Sequence, residues 1–270
     1  MADETIITTV SASGQGGQSV VPPVPQTLPT TDKHQVMGAV LTQTIQTGKD
    51  EVPTEHVPLV CKPVEIESWR IFKIMSEFVE GFGVIGKYGL AATFFGSARC
   101  TFDAEIYQAA TGLAGRLAKA GYAVITGGSA GIMEAANKGA YEAGGASIGL
   151  NIRLETHQAD NQYLTEHMTF DHFFVRKVML TFASEVYIYF PGGFGTLDEF
   201  TEILTLVQTR KIRRVPIVLY GKEFWTPLVT VFKEHLYEKH HSIDEADMEL
   251  YHVVDSVDEA FEYISKVVRC

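Results

Sequence analysis

Residues 185–207 constrain the fold most, because an unbroken apolar run, a glycine-rich turn and a helical pattern follow one another with no spacer. Glu185-Val186-Tyr187-Ile188-Tyr189-Phe190 reads as a buried strand, and Leu197, Phe200, Leu204 and Val207 recur at helical spacing. Between them lies Pro191-Gly192-Gly193-Phe194-Gly195-Thr196-Leu197-Asp198-Glu199. Such a turn aims backbone N–H groups and the positive end of a helix dipole at one point, which suits an anion. The spacing predicts a helix from residue 196, with Thr196 as its cap and its hydroxyl offered to a phosphate oxygen. Glu199 then stands in the first turn. Asp198 beside it points about 100° away, so only one of the two faces the ligand.

The 270-residue chain divides by composition. Residues 1–60 are rich in Ser, Thr, Gln, Gly and Pro and lack apolar periodicity, so a disordered extension is expected there and a single α/β domain over 61–270. Asp3 and Glu4, with no apolar stretch behind them, predict no signal or transit peptide. No run approaches a membrane span, and a cytoplasmic location is expected. A net charge of −11 argues against a nucleic-acid partner. The one basic run, Arg210-Lys211-Ile212-Arg213-Arg214, reads as a solvated helix end. Cys61, Cys100 and Cys270 are far apart, which predicts a reducing compartment and no metal site.

Short apolar runs at Leu90–Phe95, Ala123–Thr126, Ala146–Leu150, Val186–Phe190 and Val215–Tyr220 alternate with helical patterns near 103–120, 131–143, 172–184, 196–209, 223–237 and 257–268. That alternation predicts a Rossmann-like, doubly wound parallel sheet. Upstream, Ile66–Phe82 reads as a helix. Ile71, Met75, Phe78 and Phe82 lie on one face with Trp69, Phe72 and Val79 beside them, and core packing is expected over burial against a partner subunit.

Ligands of such sheets bind beyond the carboxyl ends of the strands. Three small-residue turns lie there: Gly96-Ser97-Ala98-Arg99, Gly127-Gly128-Ser129-Ala130-Gly131 and the 192–199 turn. The third strand leads into Asn151-Ile152-Arg153, and Gln158 and Asn161 beyond it suit sugar hydroxyls or base edges. The chain has no P-loop, Asp198 replaces the third glycine of a dinucleotide fingerprint, and Ser97 lacks the second glycine of a nucleophile elbow. Ser97 therefore reads as a phosphate or hydroxyl ligand.

The 191–199 segment resembles the PGGxGTxxE motif of the LOG (Lonely Guy) family, cytokinin riboside 5′-monophosphate phosphoribohydrolases long mislabelled as lysine decarboxylases. Phe174-Val175-Arg176-Lys177-Val178-Met179-Leu180 is similar to the family's Arg-Lys segment, and 127–137 to its GGGxxGxMxA turn, with Ser129 in place of the third glycine and Ala130 where proline is common. The helix before the sheet and the 96–99 turn look like the longer bacterial subgroup. The resemblance implies a homodimer or larger homo-oligomer that needs no cofactor and cleaves the N-glycosidic bond of purine nucleoside 5′-monophosphates. It implies Arg176 and Glu199 as the catalytic pair. It also implies nucleotide contacts from Gly128, Ser129, Met133, Lys177, Gly192, Gly193, Phe194, Gly195, Thr196, Leu197, Asp198 and Thr205. A non-catalytic nucleotide or molybdenum-cofactor carrier of related fold is the alternative.

Overall fold

The computed structural model describes residues 68–99, 104–154 and 160–268. The expected extension over 1–60, Gln158 and the three cysteines lie outside the described residues. The elements run α1 (Ser68–Ile85), β1 (Ala91–Phe95), α2 (Ala104–Lys119), β2 (Ala123–Thr126), α3 (Ile132–Glu142), β3 (Ser147–Ile152), β4 (Glu166–Phe170), α4 (Phe173–Phe182), β5 (Val186–Tyr189), α5 (Phe194–Gln208), β6 (Ile217–Tyr220), α6 (Lys222–Val231), β7 (Tyr251–Val254) and α7 (Val257–Val267). A π-helical segment, Phe232–Lys239, continues α6, and a 3₁₀ turn covers Glu245–Glu249.

All strand pairs are parallel, in the order β4-β3-β2-β1-β5-β6-β7. The chain winds outward from β1 to β4, then crosses back to place β5 on the other side of β1. The crevice between the loops after β1 and β5 is thus the topological switch point, where such sheets take ligands. β1, β2, β3, β5 and β6 are buried at every position, as strands covered by helices on both faces must be. Alternate residues sort into two cores: Phe95, Tyr187, Tyr189 and Leu219 on the α4–α5 side, and Phe94, Ile188, Val218 and Val124 on the α2–α3–α7 side.

The seven-stranded parallel sheet is the expected fold, with differences at its margins. β4 and β7 were not predicted. Both are edge strands, and in β4 only Met168 and Phe170 are buried, so neither carries an apolar run. α5 opens at Phe194, two residues before the expected start. Gly193 is its cap residue, no side chain caps it, and Thr196 donates its backbone N–H to the Gly193 carbonyl at 3.0 Å. Thr196 is therefore inside the first turn and Glu199 in the second.

α1 also departs from expectation. Gly81, Val84 and Ile85 are buried and Ile74 and Phe78 pack on the core, but Trp69, Ile71, Phe72, Met75, Val79 and Phe82 are exposed. Core packing thus takes only the C-terminal half of the helix and its inward side.

α2 and α3 meet backbone to backbone. A Cβ at Gly139 would collide with the Thr111 carbonyl oxygen, and one at Gly115 would lie 3.1 Å from the Gly139 carbonyl. Gly139→Ala should therefore force the two helices apart and cost roughly 3 kcal/mol, the upper part of the usual overpacking range. Thermal melting should fall by several degrees; an unchanged melting temperature would mean that the helices can slide without loss.

Candidate functional site

Three turns are stitched together at the switch point. The Ser97 N–H donates to the Pro191 carbonyl at 3.1 Å, and the Ile132 N–H donates to the Ser97 carbonyl at 3.0 Å. Small residues make this approach possible. A side chain on Gly96 would press on Ile132, and one on Gly131, which has φ +70°, would strike the Ser97 carbonyl. The turns enclose a cavity of about 330 Å³ lined by Ser97, Arg99, Gly127, Ser129, Met133, Asn151, Phe173, Arg176, Gly193, Gly195, Thr196 and Glu199, among others.

Arg176 and Glu199 reach this cavity from two different helices. Arg176, on α4, donates Nε–H to the Leu150 carbonyl at 2.8 Å and lies against Gly127, where a Cβ would run into Nη2. Its guanidinium is also 5.8 Å from the Phe173 ring centre. Burial lowers the Arg176 pKa, and the nearby Glu199 charge counteracts that. Glu199, on α5, is 5% exposed, and its Oε2 has no hydrogen-bond partner. Burial pushes its carboxyl from an ordinary 4.5 up to about 7; Arg176 and Lys177 pull it down, while Glu202 and Asp198 add to the rise. A buried carboxylate that titrates near neutral pH and shares a cavity with a fixed cation can both offset positive charge and exchange a proton.

The other expected contacts divide. Ser97, Ser129, Met133, Gly193, Gly195 and Thr196 line the cavity with the catalytic candidates. Gly192 lies beneath Thr196, whose side chain occupies the space a Cβ would need. Gly128 is turned inward, its N–H donating to Thr126 Oγ1 at 2.9 Å. Leu197 packs on the core. Phe194 is 91% exposed.

Lys177, Asp198 and Thr205 do not line the cavity. They sit with Thr201 and Glu202 in an adjoining groove, where Lys177 Nζ pairs with Asp198 Oδ2 at 2.7 Å and with Glu202 Oε2 at 3.1 Å. The 100° helical step separates Asp198 from Glu199, as expected. Asn161 does not line the cavity either; its amide donates to the Asn137 side chain and the Ser129 carbonyl, and its Oδ1 accepts from the Tyr163 N–H.

Lining residues beyond the sequence-predicted site include Arg99, Asn151, Leu154 and Phe173. Arg99 and Asn151 flank turns that were legible. Phe173 carries a subtler signal, lying three residues before Arg176 on the same helix face.

A family model described as "Possible lysine decarboxylase", the label LOG proteins long carried, matches residues 133–264. The cytokinin riboside 5′-monophosphate phosphoribohydrolase of Rhodococcoides fascians is 28% identical over 131 residues, 47% of this chain and 66% of that protein. These matches make the chain similar to LOG proteins over its C-terminal half. An uncharacterised Archaeoglobus fulgidus protein is 29% identical over 133 residues, 49% of this chain and 85% of the relative. Among solved structures, TM1055 matches with a TM-score of 0.52 at 25% identity, covering 66% of this chain and 99% of that one. The molybdenum cofactor binding protein of Rippkaea orientalis matches with a TM-score of 0.51 at 19% identity, over 67% and 96% of the two chains. At that identity the likeness concerns the fold.

Proposed function

We propose that this protein acts as a LOG-type enzyme and hydrolyses the N-glycosidic bond of purine nucleoside 5′-monophosphates, AMP or N6-substituted cytokinin nucleotides, to free base and ribose 5-phosphate. The observation that carries the reading is that Arg176 and a buried Glu199, whose Oε2 has no hydrogen-bond partner, line one cavity walled by three small-residue turns. Breaking the bond to the base builds positive charge at C1′, which a carboxylate stabilises more in the transition state than in the ground state. Glu199 near neutrality can also take a proton from the attacking water. Arg176, a forked cation, holds phosphate or ribose oxygens. Backbone N–H groups at Gly193 and Gly195 anchor the phosphate at the start of α5.

The expected result is adenine release from AMP and none from adenosine, because the phosphate anchor places C1′ beside Glu199. Chromatography after incubation with each reads it; cleavage of adenosine at the AMP rate would remove the anchor from the argument. The carrier reading draws on the fold shared with the Rippkaea orientalis protein. AMP bound without adenine release would favour it.

The exposed apolar side of α1, with Phe182 of α4 packed 6.4 Å from Phe82, is inferred to join a second copy of the chain. Light scattering should report a dimer or larger, and Val79→Glu with Phe72→Glu should shift it to monomer. No helix among the described residues is long and apolar enough to cross a membrane, and a cytoplasmic enzyme accords with this proposal.

A further inference from the structure

Behind the 127–131 turn lies a polar network whose central members, Thr126, Asn137 and Asn161, do not themselves line the cavity. Thr126, at the end of β2 and fully buried, donates its hydroxyl to Asn137 Oδ1 at 2.6 Å and accepts the Gly128 N–H at 2.9 Å. Asn137, fully buried on α3, donates its amide to Ser147 Oγ at 2.9 Å on β3. Its Oδ1 accepts a second bond from Asn161 Nδ2 at 2.9 Å. Asn161 then grips the turn twice, donating its backbone N–H to the Gly128 carbonyl at 3.0 Å and its amide to the Ser129 carbonyl at 3.1 Å. The segment that carries Asn161 is held in turn, since Asp160 accepts the amide of Asn151, a residue of the cavity wall.

The direction of those bonds matters. In a trans peptide the C=O of one residue and the N–H of the next point opposite ways. Two successive carbonyls drawn toward Asn161 therefore send the N–H groups of Ser129 and Ala130 away from it, and Ser129 lines the cavity. Thr126 and Asn137 are buried and Asn161 half-buried, and a network whose members are all bonded holds position rather than slack.

We propose that Thr126, Asn137 and Asn161 are positioning residues that aim the backbone N–H groups of the 129–130 turn at the phosphate of the nucleotide. The proposal rests on the phosphoribohydrolase reading for the identity of the ligand. It also gives Asn161 a role in place of a base contact, and explains how a turn with Ser129 and Ala130 in place of glycine and proline is kept in shape.

Calorimetric titration of the full chain with AMP and with ribose 5-phosphate, alongside steady-state adenine release, tests it on Thr126→Val, Thr126→Ser and Asn161→Ala. Valine keeps the volume of threonine and deletes only the hydroxyl, so its fold should survive. Thr126→Val and Asn161→Ala should each bind both ligands roughly 10–100-fold more weakly, as misplacement of an anchoring group costs. KM should rise in step while kcat moves less, and Thr126→Ser should restore near wild-type affinity. Unchanged affinities in Thr126→Val and Asn161→Ala, however far their melting temperatures fall, would reduce the network to packing and overturn the proposal. Binding by the wild type without adenine release would overturn the reaction alone and leave the network to be judged by the affinities. A wild type that binds neither ligand would overturn both.

Discussion

Glu199→Gln is expected to cut adenine release from AMP by a factor on the order of 10²–10⁴ while AMP still binds and the protein becomes more stable above neutral pH. The amide keeps the size of the side chain but neither offsets charge at C1′ nor accepts a proton. Stability follows from the same burial. Because the folded-state pKa is about 7 against an ordinary 4.5, the folded protein retains a proton that the unfolded chain has lost between those pH values. That contribution is full below pH 4.5 and gone above 7, where the ionised carboxylate costs folding on the order of 3 kcal/mol. Glutamine does not titrate. Its melting temperature relative to wild type should therefore climb by several degrees between pH 5 and pH 8, at roughly 2–4 °C per kcal/mol for a domain of this size. Wild-type turnover should rise with pH through about 7 as the active carboxylate forms. Asp198→Asn is the control, since Asp198 is half exposed and its pair with Lys177 is worth about 1 kcal/mol or less. An inactive Asp198→Asn with an active Glu199→Gln would move the catalytic assignment to the neighbouring residue.

Arg176→Ala should lower kcat/KM by roughly 10³ or more, with AMP affinity and kcat both falling, because a cation that contacts the substrate acts in the ground state and the transition state alike. Two further effects separate this from loss of a surface charge. The Leu150 carbonyl loses its 2.8 Å donor inside the fold, so stability falls as well. Glu199 loses the strongest influence pulling its pKa down, so the residual activity should reach its midpoint at a pH above 7. The pH–rate profile of the variant reads this directly. An unmoved midpoint with preserved AMP affinity would detach Arg176 from both ligand and carboxylate. Lysine at this position should rescue only in part, since an ammonium cannot reproduce the forked donor.

Much of the architecture was legible because central strands of a parallel sheet are covered on both faces. β1, β2, β5 and β6 therefore stand out as apolar runs, and the glycines between strand and helix mark the ligand edge. β4 and β7 gave no such run, because an edge strand needs only part of its surface buried. The start of α5 was misjudged by two residues because Phe194, an aromatic with 91% exposure, gives no sign of belonging to a helix. Cap chemistry pointed to Thr196, whereas the glycine before Phe194 satisfies the same position through backbone alone.

Residue pattern alone was enough for the parallel α/β class and for three small-residue turns on one edge, while Arg176 and Glu199 stood out as a pair through the resemblance to the LOG motifs. The class and the turns follow from local periodicity and glycine placement, which act over a few residues. Which side of α5 faces the cavity came from packing, which sets Glu199 in the cavity and Asp198 with Lys177 and Thr205 in the neighbouring groove. Packing also brings the Asn161 amide onto the second turn and leaves most of the apolar face of α1 exposed. Each of these depends on the rotation of a helix or the path of a loop against elements distant in the chain, and burial of that kind comes from packing rather than from local sequence pattern.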